Sequence, residues 1–396
     1  MASQHILVAF GGVSPEHEVS VLTAMQAISG LHERSYTVLP LYIAKSGKWL
    51  TGPGLLELEN YQDLDQLEQQ STPCTLTHDE MGSPILMELQ KKSLFQSRKS
   101  YALDTAVVAF HGGDGENGGF QGLCETLNLP YTGSGVLASS LGMDKVRAKS
   151  MCHSQNIPVV GSFSLTESDW EGSVEQHLER ATQLGFPLIV KPVHLGSSIG
   201  VIKAEEESEL QEAIETSFRY DTQLMVEKVV QPLMEINCAL IGDEYEAEPS
   251  VCERPLGSGE MLSYEDKYQR GDSGSKGMAS ADRQVPADIP ETLSNHIQEL
   301  SVNIFKLFRA SGIARIDFLV NSETREVYFN EINTIPGSFS FYLWEESGYN
   351  MAELMERLLK LGKDKHRRKN SRIRSYDTNL LSEKAVKGLK GLKTNK

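Results

Sequence analysis

Four side chains toward the C-terminal end, Arg315, Asp317, Glu331 and Asn333, are of the types that handle a metal ion and a phosphate. If IARIDFLV (313–320) and EVYFNEIN (326–333) pair as a hairpin about a turn centred on residue 324, Asp317 faces Glu331 and Arg315 faces Asn333. Strand side chains alternate, so all four then lie on one side of the sheet. Two carboxylates and a carboxamide beside a guanidinium form a hard-oxygen site suited to Mg²⁺, which takes a few carboxylates and fills its shell with water and phosphate. A solvated polar face with surface ion pairs would use the same residues. NEIN, however, sits between Tyr328–Phe329 and the turn TIPGS, which fits that arrangement poorly.

Lys191 ends the apolar run FPLIVKP (186–192), just before the small-residue loop HLGSSIG (194–200). Such a loop offers backbone N–H groups to phosphate oxygens, and the lysine adds charge. An ordinary hairpin turn has the same composition. Lys145, Lys267 and the Glu227/Lys228 pair say less still, because a lone lysine is by default a solvated surface charge. A second glycine-rich stretch, FHGGDGENGGFQG (110–122), carries Gly113, Gly115 and Gly118 at the spacing of a dinucleotide fingerprint. That fingerprint requires an acidic residue about 20 positions on, to hold a ribose. None lies between Glu125 and Asp144, and Asp114 and Glu116 would repel a pyrophosphate. No Gly-Lys pair is followed by Ser or Thr, so a Walker A loop is also excluded.

The elements that must position these groups alternate along the chain. HILVAF (5–10) reads as a strand, followed by GGVSPEHEVS, in which Ser14 is placed to cap a helix whose first turn carries Glu16 and Glu18. A charged, irregular stretch spans about 50–100. TAVVAF (105–110) is a buried strand, and a helix near Gly119–Leu127 follows it. The pattern to 144 is an open α/β domain with mostly parallel strands. From 145 come a helix to Gln155, an amphipathic helix over Ser173–Leu184, strands at 186–192 and VIKA, a helix at Glu207–Phe218 and the strand TQLMVEKVV (222–230). The hairpin closes the pattern, with a last helix from Asn350.

Composition excludes several classes. The 396 residues carry a net charge of −16, and residues 363–396 hold 12 Lys/Arg against 3 Asp/Glu, leaving −25 for residues 1–362. An acidic body argues against duplex nucleic acid as a partner. The basic end reads as a solvated, partly disordered extension whose removal after Gly362 should leave activity unchanged. No apolar run approaches the roughly 18–20 residues of a membrane span, and Ile6–Phe10 is too short for a signal-peptide core, so a cytoplasmic protein is expected. Five cysteines without a CxxC pair suggest neither disulfides nor a zinc site.

The ordered set GGVSPEHEVS, HGGDGENGGFQG, YTGSG, MDK, FPLIVKP with GSS, YEDKY, ARIDF and NEINTIPG covers about residues 5–360 and resembles the ATP-grasp ligases, more closely the D-alanine:D-alanine ligases. The resemblance implies an N-terminal open parallel α/β substrate domain (1–144) followed by a two-part ATP-grasp fold (145–232 and 233–362), with the basic tail beyond. It implies ATP and two Mg²⁺ (or Mn²⁺), amino-acid substrates and a homodimer. Lys145, Lys191 and Lys267 would contact ATP phosphates; Glu227, Lys228 and Val230 would line the adenine pocket, with Glu235 on the ribose. Asp317, Glu331 and Asn333 would hold the metal. Glu16, Ser197 and Tyr268 match the family trio that positions the first substrate's amino group, and His111 lies in the loop that shapes the amino-acid site. Arg315 and the Gly337 N–H would stabilise an oxyanion.

The chain departs from the family where a serine before leucine meets the second substrate's carboxylate. Here GSFSFYLWEE places Ser338 after the turn and Tyr342 before Leu343. Tyr342 can donate a hydrogen bond but adds bulk, so the pocket should favour a small amino acid. Tyrosine at position 268 goes with amine nucleophiles in the family, and an amide product follows. Other readings are a carboxylate–amine ligase making a different dipeptide or depsipeptide, and a non-catalytic nucleotide-binding scaffold.

Overall fold

The computed structural model describes residues 4–90, 97–256 and 283–376. The apolar run at His5–Gly11 forms β1, which pairs in parallel with Thr37–Ile43 (β2) on one side and Thr105–Val108 (β7) on the other. Strands buried on both faces by crossover helices read as continuous hydrophobic runs, and Ile6 to Phe10 are fully buried. The crossover from β1 to β2 is α1 (His17–Glu33). Ser14 does not cap it. Glu16 occupies the N-cap position without a side-chain cap bond, while the Ser14 hydroxyl accepts from the Glu16 N–H (3.1 Å) and donates to the His111 carbonyl (2.8 Å).

The stretch expected to be irregular extends this sheet. Trp49–Thr51 (β3), Thr72–His78 (β4), Pro84–Glu88 (β5) and Ser100–Ala102 (β6) add in antiparallel fashion, with α2 (Leu64–Gln70) between β3 and β4. The sheet order is β6-β5-β4-β3-β2-β1-β7, so parallel pairing is confined to β2, β1 and β7. These added strands are short and alternate buried with polar positions, as Cys74 and Leu76 show, so their charge content masks them in the sequence.

After β7, α3 (Gly113–Glu116), α4 (Gly119–Thr126), α5 (Val136–Met143) and α6 (Lys145–Ser154) lead to two antiparallel sheets. The first, ordered β10-β9-β11-β8, comprises Ser162–Thr166 (β8), Leu188–Pro192 (β9), Ile202–Ala204 (β10) and Gln223–Lys228 (β11). Its core includes residues of α7 (Glu167–Gly172), α8 (Val174–Leu184) and α9 (Glu207–Ser217). The second, ordered β14-β13-β12-β15-β16, comprises Leu233–Gly242 (β12), Ala247–Pro255 (β13), Arg283–Gln284 (β14), Gly312–Asn321 (β15) and Val327–Asn333 (β16), with α10 (Glu291–Leu307) against it. Ala148 and Cys152 of α6 are buried in the core of this second sheet. The helix that begins at 145 therefore packs with the unit of the second sheet. All five cysteines are buried and free, and among the described residues no helix is long and apolar enough to cross a membrane.

The chain returns to the first domain at its end. After α11 (Phe341–Glu345), Asn350 starts α12 (Met351–Asn370) with a reciprocal capping box to Glu353. Leu354, Met355, Leu358 and Leu359 enter the core of the first sheet. Gly362 passes so close to Tyr131 that a Cβ there would stand 2.4 Å from its carbonyl oxygen. The helix continues eight residues past this point and is not a solvated tail. Lys365 Nζ donates to the Gly133 carbonyl (2.7 Å) and lies 3.9 Å from the Tyr131 ring centroid; burial pulls its pKa down to about 7. Arg368 pairs with Asp243 at 2.6 Å, and Lys369 pairs with Glu125. This helical part of the basic run thus docks on the acidic body; residues 377–396 lie outside the described residues. Truncation after Gly362 should lower the melting temperature by more than ~2 °C, measured by thermal denaturation; an unchanged melt would return the segment to the status of a passive tail.

Candidate active site

A cavity of ≈ 110 Å³ opens where the three units meet. Glu16 and His111 reach it from the first domain, Ser197 from the loop after β9, and Lys145, Arg315, Asp317, Glu331 and Asn333 from α6, β15 and β16. The hairpin has the expected register, Arg315 opposite Asn333 and Asp317 opposite Glu331, with an irregularity between Asp317 and Phe318. Arg315 Nε and NH2 donate to the two Asp317 oxygens at 2.7 Å each, and Asn333 Nδ2 donates to Asp317 Oδ2 at 3.0 Å. Lys145 Nζ stands 3.6 Å from Glu331 Oε2.

Burial drives the electrostatics of this cluster. It would lower the Arg315 pKa, but Asp317 outweighs it and holds the guanidinium well above its usual range. Burial, aided by Glu331 and Glu253, raises the Asp317 carboxyl against the pull of Arg315. Among the described residues no cluster of three His, Cys, Asp or Glu side chains could hold a metal by itself. Asp317 and Glu331 converge, the Glu331 charge raising the Asp317 carboxyl, and with the neighbouring carboxamide they fit a hard divalent ion that takes its remaining ligands from phosphate.

The end of the cavity next to the first domain is closed by contacts between distant segments. Ser197 Oγ donates to Glu16 Oε1, which ties the loop after β9 to the start of α1. Gly112 (φ +67°) lets the chain run under this pair; a Cβ there would stand 2.6 Å from Ser14 Oγ and 2.8 Å from Glu16 Oε2. The Gly112 N–H donates to Glu116 Oε2 at 2.8 Å. Burial, and then Glu16, raises the Glu116 carboxyl to about 8, so it is protonated at neutral pH.

Burial and Arg315 lower His111 to about 3, leaving a neutral imidazole whose Nε2 lies 2.9 Å from Thr23 Oγ1. That hydroxyl also accepts the Ser338 N–H at 3.0 Å. The contact helps hold Ser338, Phe339 and Ser340, all left-handed at φ 54°, 51° and 47°, a conformation costing about 1–2 kcal/mol per residue. Gly337 lines the cavity immediately before this turn.

The lysines fall into two groups. Lys145 Nζ donates to the Leu195 carbonyl at the cavity. Lys191 Nζ donates to Glu227 Oε1 (2.8 Å) and Asn330 Oδ1 (3.3 Å), and Lys149 Nζ donates to Glu227 Oε2. Met225 is opposite Lys191 in the ladder, which makes Glu227 its diagonal neighbour. Burial alone would raise the Glu227 pKa, but Lys149 and Lys191 lower it, whereas burial lowers Lys149 to about 8. The Glu227 carboxylate is therefore committed to positioning lysines.

Other expected site residues lie apart from the cavity. Lys228 is exposed and Val230 half-buried beyond it, while Glu235 reaches the cavity from β12. Ser338 is buried against Thr23, and Leu343 is core. Tyr342 points its hydroxyl at Glu253. Lys267 and Tyr268 lie outside the described residues. Thr23, Lys149, Asn237 and Glu253 are not singled out by the sequence, which marks Glu116 only as a charge against a pyrophosphate. Only Lys149 carried a signal, being four residues from Lys145 and so on the same helical face.

A parallel α/β domain followed by two antiparallel sheets, with lysines and a carboxylate hairpin converging at their junction, defines an ATP-grasp protein. Comparison with known proteins narrows the class. Residues 5–134 match the family model described as D-ala D-ala ligase N-terminus, and residues 151–360 match D-ala D-ala ligase C-terminus. The D-alanine–D-alanine ligase of Thermosipho melanesiensis is 36% identical over 384 residues, 97% of this chain and 99% of that one. The Enterococcus faecalis D-alanine–D-alanine ligase is 33% identical, covering 90% and 98%. The chain belongs to the D-alanine–D-alanine ligase family of ATP-dependent enzymes. Among solved structures, the Coxiella burnetii D-alanine-D-alanine ligase superposes with TM-score 0.76 at 29% identity, covering 93% of this chain and 97% of that one. VanG D-Ala:D-Ser ligase from Enterococcus faecalis gives 0.75 at 27%, covering 91% and 100%.

The Glu116 shift has a testable sign. With its folded pKa raised from 4.5 to about 8, the carboxyl contributes stability below the usual range and loses it as pH rises toward 8. Glu116→Gln should remove that slope, so the variant gains on wild type in thermal melts between about pH 5 and 8. Parallel curves would show that Glu116 is ionised throughout.

Proposed function

We propose that this chain joins two D-alanines into D-alanyl-D-alanine for peptidoglycan synthesis, with ATP as the energy source. The observation that carries the reading is the junction itself: the Glu16–Ser197 clasp and the Arg315–Asp317–Glu331–Asn333 hairpin line one cavity. Glu16 supplies a carboxylate for the first substrate's ammonium. Lys145, Lys191 and Lys267 neutralise phosphate, with Lys191 held in place by Glu227. Lys228 and Val230 border the adenine and Glu235 the ribose, while Tyr268 completes the trio with Glu16 and Ser197.

A carboxylate is a poor electrophile. Transfer of the γ-phosphoryl group to the first D-alanine's carboxylate releases ADP and leaves an acyl phosphate, whose carbonyl the second D-alanine's amine attacks; phosphate departs as the amide forms. Two Mg²⁺ or Mn²⁺ ions, held by Asp317, Glu331 and Asn333, would supply charge neutralisation for the phosphoryl groups. Arg315 and Gly337 line the cavity, and the guanidinium and the Gly337 N–H would stabilise the tetrahedral oxyanion, an interaction worth roughly 3–4 kcal/mol per donor. His111, kept neutral, and Ser338 hold the wall of the amino-acid site through Thr23 rather than exchanging protons. A homodimer in the cytoplasm belongs to the same proposal, and sedimentation velocity tests its assembly.

Asp317→Asn or Glu331→Gln should abolish turnover while circular dichroism and thermal melts remain those of a folded protein. Near-normal turnover at ordinary Mg²⁺ would remove the hairpin from the metal site. A screen of amino-acid pairs for ADP release, with product masses, should give D-alanyl-D-alanine as the preferred product. Preference for D-lactate, D-serine or a bulky second amino acid would identify a different carboxylate–amine ligase.

A further inference from the structure

Tyr342 occupies the position from which a hydroxyl was expected to meet the second substrate's carboxylate, yet its hydroxyl is directed elsewhere. It donates to Glu253 Oε1 at 3.0 Å. Asn237 Nδ2 donates to the same oxygen at 3.1 Å, and Arg283 NH1 donates to Oε2 at 3.0 Å. Glu253 is thus a buried carboxylate with donors from α11, β12 and β14 on its two oxygens. It serves as an anchor. What it anchors is Arg283, whose guanidinium carbon lies 4.1 Å from the Tyr342 ring centroid.

Stacking on an aromatic ring leaves a guanidinium's N–H donors radiating in its own plane, and five donors suffice for more than one carboxylate. Arg283 lines the same cavity as Arg315 and Gly337, where the acyl carbonyl would sit, and is held at the Glu253 side. The other lining cations have different partners: Arg315 is forked onto Asp317, and Lys145 is held by Leu195 and Glu331. We propose that Arg283 is the receptor for the α-carboxylate of the second, amine-donating amino acid, positioned by Glu253 and walled by Tyr342.

The inference rests on the ligase reading and identifies its acceptor specificity. The amine nucleophile must carry a free carboxylate, because a buried guanidinium facing a neutral amide or ester forgoes its charge-assisted bonds. Tyr342 then acts as a positioning residue and size limit, and its hydroxyl need not touch the substrate.

The test uses the full-length enzyme with ATP, D-alanine as donor, and either D-alanine or D-alaninamide as acceptor. D-Alaninamide has no carboxylate to phosphorylate, so it reports on the acceptor site alone. Wild type should strongly prefer D-alanine. Arg283→Met should raise the acceptor KM for D-alanine by roughly 10- to 100-fold, bring the preference over D-alaninamide to within about twofold, and leave the KM values for ATP and donor unchanged. Arg283→Met leaves the Glu253 charge unbalanced, so the double variant Glu253→Gln/Arg283→Met, which removes both charges, serves as the control for folding and should show the same acceptor phenotype. Tyr342→Phe, which keeps the stacked ring, should retain most of the preference. Unchanged acceptor KM and preference in folded Arg283 variants, or equal losses for ATP and both amino acids, would overturn the assignment. A wild-type enzyme that forms no D-alanyl-D-alanine overturns the ligase reading instead, before any variant is compared.

Discussion

Arg315 and Asp317 stand two residues apart on one face of β15, and the bidentate bond between them gives the hairpin its chemical polarity. Because the β15–β16 register sets Asn333 and Glu331 opposite them, one strand pairing delivers a cation, two carboxylates and a carboxamide to the same few ångströms. A slip of β16 by one residue would send Glu331 and Asn333 to the other face, into the core that Ile316, Phe318 and Phe329 fill, and leave Arg315 and Asp317 without them. The apolar residues of the hairpin therefore protect the site's geometry, since only one register buries them.

Buried ion pairs recur around this hairpin. Glu227 lies between Lys149 and Lys191, Asp317 against Arg315, and Glu253 against Arg283. Taking such charges out of water costs several kcal/mol per ion, so apolar replacements of similar shape would serve stability as well or better. The pairs fix the direction in which each cation points. Asp317 and Glu253 direct Arg315 and Arg283, both of which line the cavity, while Glu227 fixes Lys149 and Lys191 behind it.

The same economy appears at the level of chain segments. The first domain is not an appendage: Glu16 reaches Ser197, Thr23 reaches the Ser338 N–H, and α12 returns from the C-terminal unit to bury its apolar face against the first sheet. The left-handed turn at Ser338–Ser340 is kept in place by this convergence and by the burial of all three residues. Its strain is offset by contacts made by residues more than three hundred positions away.

Local chemistry made the hairpin legible in the sequence: strand alternation, a polar pair embedded in apolar neighbours and a Pro-Gly stop determine Asp317, Glu331, Arg315 and Asn333 together. The same holds for β1, β7, β9 and β11, whose apolar runs have one low-energy use, and for the start of the last helix near Asn350. The failed dinucleotide fingerprint was also a local matter, since the missing acid could be counted. Tertiary structure alone decided which way side chains on different segments turned: Glu227 toward lysines, Tyr342 toward Glu253, Ser14 toward His111, and the basic end of α12 onto Gly133, Asp243 and Glu125. Glu253 becomes a site group through the donors that Tyr342, Asn237 and Arg283 bring to it, and Glu116, an ordinary acid in the sequence, only through burial, because the cost of desolvation depends on what surrounds a carboxylate and not on its neighbours along the chain.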